Sequence, residues 1–279
     1  MLDLLWDAVL DTLKTLPFLF GAYLLIEYLE HKASEKLTGA LKKLGPLGPV
    51  GGALLGLVPQ CGFSVAAANF YAGRLITPGT LVAVFLATSD EALPILISQP
   101  GALPDLALLL GVKLVAGCVF GVLVDVLWKH LPHSDPDHPF EDLCHDCGCE
   151  EHGIFRSALV HTLRIALFLL LINLVLGTAI HFVGEDRISQ VLLSGSVLQP
   201  FVAGLIGFIP NCAASVILTE LYLSGSLSFG AAVAGLCTGA GLGLAVLFKY
   251  NHHWKENLLL AGLLYASAVI TGLVCGLVF

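Results

Sequence analysis

The chain has 279 residues, 57% of them apolar and only 12% charged, with a formal net charge of −8. A soluble domain carries about 25% charged residues, so this composition points to a membrane protein with several spans and excludes a soluble globular domain. No basic stripe or reading module is present, which excludes nucleic-acid binding, and the acidic balance says little about partners because 7 of the 21 acids crowd into residues 130–153.

Residues 1–14 have an amphipathic pattern, and Asp3, Asp7 and Asp11 are wrong for the basic start of a signal peptide. A first helix is predicted over 10–30, followed by a basic loop over 31–45. Residues 46–73 form an apolar segment with a polar break, and helices are predicted over 78–98 and 105–129. A polar loop, 130–153, precedes a second series at 154–183, 197–224, 228–249 and 257–279. Runs of roughly 20 apolar residues cross a bilayer as helices. The expected organisation is therefore a first transmembrane repeat over 1–129, a linker over 130–153 and a second repeat over 154–279.

The repeat is legible residue by residue. Pro49-Val-Gly-Gly-Ala-Leu-Leu-Gly-Leu-Val-Pro-Gln-Cys-Gly-Phe-Ser-Val65 and Pro200-Phe-Val-Ala-Gly-Leu-Ile-Gly-Phe-Ile-Pro-Asn-Cys-Ala-Ala-Ser-Val216 are 151 positions apart and share seven of seventeen residues. The same offset pairs Tyr71 with Tyr222, Gly79 with Gly230 and Gly121 with Gly272. Matching Gly/Pro-interrupted apolar segments in two halves point to the binding site of a transporter.

Each interrupted segment has about twelve residues on either side of its break, a rise of roughly 18 Å against a hydrocarbon core of about 30 Å. It is therefore a broken span or a re-entrant hairpin. With hairpins, each half has three crossings and the halves are inverted. Loops 31–45, 74–77, 129–156 and 249–256 then share one side and hold nine of the thirteen basic residues. The positive-inside rule makes that side cytoplasmic, together with loop 130–153. The expected fold class is an all-α polytopic membrane protein of two inverted repeats, each with three transmembrane helices and a re-entrant or broken helical hairpin. The expected location is the cytoplasmic (inner) membrane.

Chemistry concentrates at the breaks. Pro59 and Pro210 end the helices before them, since proline lacks the backbone donor and clashes with the preceding turn. Free carbonyls there can ligate a cation, and the next helix N-terminus favours an anion. Gln60 and Asn211 add amides, Cys61 and Cys212 thiols, and Ser64 and Ser215 hydroxyls. The alternative role for these side chains is capping of the helix ends. Thr88-Ser89-Asp90-Glu91 lies inside the apolar run 78–98, and its repeat partner is read as Thr238-Gly239-Ala240-Gly241, which lacks both acids. Intramembrane carboxylates cost at least about 2.5 kcal/mol and mark function, so Asp90 and Glu91 are candidate ligands or proton carriers. A structural ion pair with Lys113 is the alternative. Glu220 belongs either to the same cavity or to the membrane surface.

Other polar residues in the spans carry less. Lys14 and Arg164 lie near helix starts, where their charges can snorkel to the interface. Cys118 and Cys275 read as small apolar residues, and His161 and His181 as interface residues rather than ligands. In the linker, Cys144, His145, Cys147, Cys149 and His152 form overlapping Cys-x-x-Cys and Cys-x-Cys pairs with adjacent histidines. They supply a tetrahedral set for zinc or another soft ion. A flexible acidic linker is the competing reading. No cofactor is required beyond such an ion.

Pro-Gln-Cys-Gly-Phe-Ser, Thr-Ser-Asp-Glu-Ala-Leu-Pro, His-Asp-Cys-Gly-Cys and Pro-Asn-Cys-Ala-Ala-Ser, in that order over the whole chain, resemble the ten-span heavy-metal exporter family. That family is related to arsenic permeases and often labelled as manganese transporters. The resemblance implies a metal or metalloid exporter, with lipid and a metal ion as partners. Exchange for protons and a homodimer are compatible with it. Asp90, Glu91, Gln60 and Asn211 would suit manganese, whereas Cys61 and Cys212 favour a softer metal or trivalent arsenic. The competing functions are an arsenite or oxyanion permease and a membrane metal sensor using the Cys/His loop. Catalysis is not expected: neither a Ser-His nor a His-Glu-x-x-His arrangement occurs in the spans. Without a nucleotide-binding loop, energy must come from an ion gradient or the membrane potential.

Overall fold

The computed structural model of the chain describes residues 47–58, 61–88, 92–129, 198–210 and 212–278, with scattered helical positions within 9–24 and 155–178. All regular elements among these residues are helical. The first half contains α1 (Gly48–Gly56), α2 (Cys61–Ala72), α3 (Pro78–Ala87), α4 (Ala92–Ser98) and α5 (Leu103–Trp128), with a 3₁₀ turn at Pro100–Ala102 before α5. The second contains α6 (Gln199–Gly207), α7 (Cys212–Leu223), α8 (Phe229–Thr238), α9 (Leu242–Tyr250) and α10 (Trp254–Val278). Helix α10 starts earlier than the predicted 257, which brings Lys255 and Glu256 into its first turn.

Local chemistry repeats along with the order. Thr77 caps α3 by accepting a hydrogen bond from the Thr80 N–H at 3.1 Å, and Ser228 caps α8 from the Ala231 N–H at 3.3 Å. Both α2 and α7 end in the same motif. The Leu75 N–H donates to the Phe70 carbonyl and the Arg74 N–H to Tyr71, while Ser226 donates to Leu221 and Gly225 to Tyr222. These 6→1 and 5→2 bonds form a Schellman close, which needs a left-handed residue at its turn. Arg74 has φ 57° and Gly225 φ 74°.

The breaks after α1 and α6 fall where proline predicts them. The continuous helices expected over 78–98 and 228–249 are instead interrupted. Helix α3 stops at Ala87 because Thr88 turns to ψ 129°, and the next described helix is α4. Helix α8 stops at Thr238, where Gly239 (ψ 52°) and Gly241 (φ 52°, ψ −135°) take up a path no helix continues. The left-handed Gly241 is a backbone state that glycine adopts without a Cβ penalty.

Packing within the halves is matched: α3 packs on α1 and α5, and α8 on α6 and α10. Small residues set the approach. A Cβ on Gly121 would lie 2.8 Å from the Ala83 Cβ, the Gly79 carbonyl oxygen and the Pro49 Cβ. A Cβ on Gly272 would meet the Ala234 Cβ at 2.7 Å and run into the Gly230 carbonyl. Gly48 and Gly52 lie against Thr80 and Gly56 against Val84 and Ala87, so α1 runs alongside α3 in the same direction. Gly79 sits by Gly121 and Asp125 while Gly117 sits by Ala83, so α5 runs against α3.

Between halves, α2 packs on α9 and α7 on α4, and α3 meets α10 as α8 meets α5. The outward faces of α5 and α10 expose Val115, Val119, Val126, Ile270, Val274 and Leu277. Apolar surface this extensive is unfavourable against water and suited to lipid. Among the described residues, four helical stretches are long and apolar enough to cross a membrane: Pro78–Ser98, Leu103–Trp128, Phe229–Tyr250 and Trp254–Val278.

Candidate functional site

The interior site is built around Lys113. It stands ten residues after the start of the 26-residue α5, about 15 Å along the helix at 1.5 Å per residue. Its side chain is wholly buried, with 0% exposure. The ammonium donates to the Thr88 carbonyl, and to the Leu236 carbonyl at 2.8 Å. Thr88 ends α3 and Leu236 lies in the last turn of α8. A helix end leaves carbonyls without partners in the helix, so one buried cation gathers the ends of two interrupted spans, one from each half. Cys237 lies beside Lys113 and Cys275.

The other helix starts face the same region. In α2, Ser64 is fully buried against the start of α9. A Cβ on Gly243 would fall 2.8 Å from the Ser64 carbonyl carbon and oxygen. The first turns after the Pro-Gln break and after the Gly239–Gly241 break are thus in backbone contact. On the opposite flank, the Thr238 hydroxyl donates to the Gly204 carbonyl at 2.7 Å and ties α8 to α6. Thr88 Oγ1 instead donates back to Val84 in its own helix at 2.7 Å.

These contacts correct one pairing. Gly56 faces Val84 and Ala87, and Gly207 faces Gly235 and Thr238. The structural partner of Thr238 is therefore Ala87, and Thr88 pairs with Gly239. The pairing of Thr88 with Thr238 slipped by one residue because two threonines beside polar breaks attract each other in an alignment.

Of the predicted ligands, Cys61 and Cys212 are the first residues of α2 and α7. Ser215 is half-buried, and its carbonyl accepts from the Thr219 hydroxyl at 2.7 Å. Glu220 is exposed near the end of α7. Gln60, Asp90, Glu91 and Asn211 lie outside the described residues, as do Cys144, His145, Cys147, Cys149 and His152. His161, His181 and Arg164 also lie outside them. Sequence reasoning treated Lys113 only as a partner for Asp90 or Glu91 and missed its role as the link between two breaks. The signal was present, since a lysine mid-way along an apolar 26-residue helix is functional by default.

A second polar cluster closes one end of the bundle. Arg74 donates to both oxygens of Glu256, at 2.5 Å to Oε1 and 3.1 Å to Oε2, and the Tyr71 hydroxyl donates to the same carboxylate. Burial works against the Arg74 charge, but the Glu256 carboxylate outweighs it and raises the guanidinium pKa above its ordinary value. The pair joins the end of α2 to the start of α10. Close by in the chain, Asp125 accepts from the Gly79 N–H at 2.7 Å and from the Thr77 hydroxyl at 2.8 Å, tying the end of α5 to the start of α3.

A family model described as "Putative, 10TM heavy-metal exporter" matches residues 7–183 and 162–278. No curated protein and no solved structure matches the chain. The apolar helices and the two matches, which run together over nearly all of its length, place it as a multi-pass membrane protein that belongs to this heavy-metal exporter family.

Proposed function

We propose that the chain is a secondary transporter that exports a divalent heavy metal, manganese foremost, through a mid-depth site between two inverted halves. The observation that carries this reading is Lys113 bonded to the broken ends of both α3 and α8. Backbone carbonyls at such depth are tolerated only where they are buried in protein or line a cavity. A cation already gathers them here, so they are arranged for positive charge. Asp90 and Glu91 come two and three residues after Thr88 in the chain, and Gln60, Cys61, Asn211 and Cys212 flank the other two breaks. Oxygen donors of this kind suit manganese.

The inverted arrangement has its own support. Helix α1 starts beside the start of α3, and α2 ends in a tight turn just before α3. Both arms therefore begin and end at one side, as a re-entrant hairpin requires. Arg74, at the end of α2, pairs with Glu256 at the start of α10, whereas the start of α3 lies by the end of α5. The equivalent helices α5 and α10 then run in opposite directions. Counting each hairpin arm as a span gives five per half and ten in all. Lys129, Lys249 and Lys255 lie at the Arg74 end, which the positive-inside rule makes cytoplasmic.

Proton exchange follows from the same lysine. A divalent ion arriving from the cytoplasm displaces the Lys113 proton to that side. After release of the metal, the amine takes a proton from the other side, so the net step moves metal out and protons in. The linker cysteines and histidines then sense or deliver metal without forming the path.

Lys113 also favours a second reading, an arsenite or oxyanion permease, because a buried ammonium attracts anions. Flux into proteoliposomes against manganese, zinc, arsenite and oxyanions, with wild type and Asp90→Asn, separates the two. Manganese flux that falls in Asp90→Asn is expected. Transport of arsenite alone overturns the metal reading, and unchanged flux for every substrate in the variant overturns the carboxylate assignment.

A further inference from the structure

We infer a cation-binding vestibule at the bundle end opposite Arg74, formed by Asp105, Tyr222, Gln99 and the backbone at Gly225. The inference comes from comparing the two halves at the same 151-residue offset. In one half, Tyr71, Arg74 and Glu256 form a closed cluster in which the guanidinium sits on the carboxylate. Their partners are Tyr222, Gly225 and Asp105. Tyr222 lies beside Asp105 on the wall of one cavity, while Tyr71 is hydrogen-bonded to Glu256. Gly225 has the same left-handed turn as Arg74 but no side chain to reach the carboxylate.

Where the guanidinium would lie there is an open cavity of about 380 Å³, lined by Gln99, Gly101, Asp105, Tyr222 and Gly225 among others. The space suits a hydrated ion: six waters at about 30 Å³ each occupy roughly 200 Å³ with the metal. Small divalent cations bind in this way, through one or two carboxylates while keeping most of their water. Asp105 sits in the first turn of α5, where the helix dipole opposes a cation. Glu256 sits in the first turn of α10 and still holds Arg74, so that opposition is not decisive. Charge agrees along the bundle. Asp105 and Glu220 lie at this end, while Arg74, Lys129, Lys249 and Lys255 outnumber Glu256 and Asp125 at the other.

The ligand class is a hydrated divalent cation, and the site is the place where exported metal pauses before release. Its direction of use rests on the exporter reading; its existence does not. The experiment is Mn²⁺ binding to the full chain in lipid nanodiscs, followed by electron paramagnetic resonance without any flux. The site should appear as a weak class, with a dissociation constant of about 10⁻⁴–10⁻³ M, as found for solvent-facing sites with few charged ligands. Asp105→Asn and Gly225→Arg should each weaken that class at least about tenfold, equivalent to roughly 1.4 kcal/mol. Gly225→Asn, which also tolerates the left-handed turn, should retain it. Binding equal to wild type in both Asp105→Asn and Gly225→Arg overturns the inference. If Gly225→Arg does not fold, Asp105→Asn decides alone. Absence of metal flux in wild type with the weak class intact would remove the exporter reading and leave the vestibule standing.

Discussion

Replacing Lys113 by methionine separates a structural tie from a working cation. The ammonium makes two charge-assisted hydrogen bonds to carbonyls, each contributing about 1.5–3 kcal/mol. Burying a charge costs several kcal/mol even after relaxation. With Lys113 at 0% exposure the two effects are of similar size, so Lys113→Met should change unfolding stability by no more than about 2 kcal/mol. Transport has no such offset. Losing about 3 kcal/mol from the step that reorganises the two breaks corresponds to roughly a hundredfold in rate. Lys113→Arg sharpens the test, because a guanidinium stays charged at any working pH. It should keep the fold and lose the dependence of flux on a pH gradient. The assay is Mn²⁺ uptake into proteoliposomes with an imposed pH gradient, paired with thermal unfolding of the same preparations. Wild-type flux with wild-type pH dependence in both variants would refute the role given to Lys113. So would equal losses of stability and flux in the methionine variant.

The same substitution should have opposite effects at two glycines of α5. Gly121→Ala drives a Cβ to 2.8 Å from three neighbours and should cost about 1–3 kcal/mol by overpacking. Gly111→Ala meets nothing within 4 Å and should be neutral or stabilising by up to about 1 kcal/mol; thermal unfolding in nanodiscs compares them. Arg74→Gly copies the other half. It removes a left-handed arginine that costs about 1–2 kcal/mol but strands the Glu256 carboxylate, and losing one partner of a buried pair costs at most about 3–5 kcal/mol, for a net loss of roughly 1–4 kcal/mol. Adding Glu256→Gln should recover most of that loss, measured as a double-mutant cycle. Deleting residues 134–152 should abolish metal sensing while leaving basal flux; loss of all flux would place the Cys/His loop in the path.

What the sequence made legible depended on which chemical event marked each break. Pro59 and Pro210 announce theirs, because the missing donor and the steric clash are written in one residue. The interruptions after Ala87 and Thr238 contain no proline and lie inside runs that average as fully apolar. Their marks were weaker: a Thr-x-x-Glu capping pattern at Thr88 and Glu91, and glycines at 239 and 241. Lys113 was visible as a buried charge, but the two carbonyls it bonds at the helix ends belong to the backbone, which has no sequence signature. The 151-residue offset carried far more. The caps at Thr77 and Ser228 and the close helix approaches at Gly79 and Gly230 all fall on it.

Two-fold architecture alone gives a transporter no preferred side, since exchanging the roles of the halves would restore the same structure. Direction must come from positions where the halves differ, and three of them act on contacts between halves or between helix ends. Arg74 faces Glu256, whereas Gly225 leaves Asp105 open to the cavity. Lys113 reaches across both breaks, whereas its partner position holds the apolar, buried Leu264. Asp125 ties α5 to the start of α3, whereas the equivalent Gly276 has no side chain to do so. All three tighten the end taken as cytoplasmic or the centre; at the other end Gln199, where the first half has Gly48, donates to the Ser226 carbonyl and accepts from the Ser228 N–H, a tie within one half that leaves Asp105 uncovered. Each 1.4 kcal/mol by which an ion pair made in only one arrangement exceeds its desolvation cost shifts a two-state balance about tenfold. Closure at the Arg74 end and an open cavity at the Gly225 end are therefore one asymmetry. It favours the arrangement in which bound metal can leave by the vestibule.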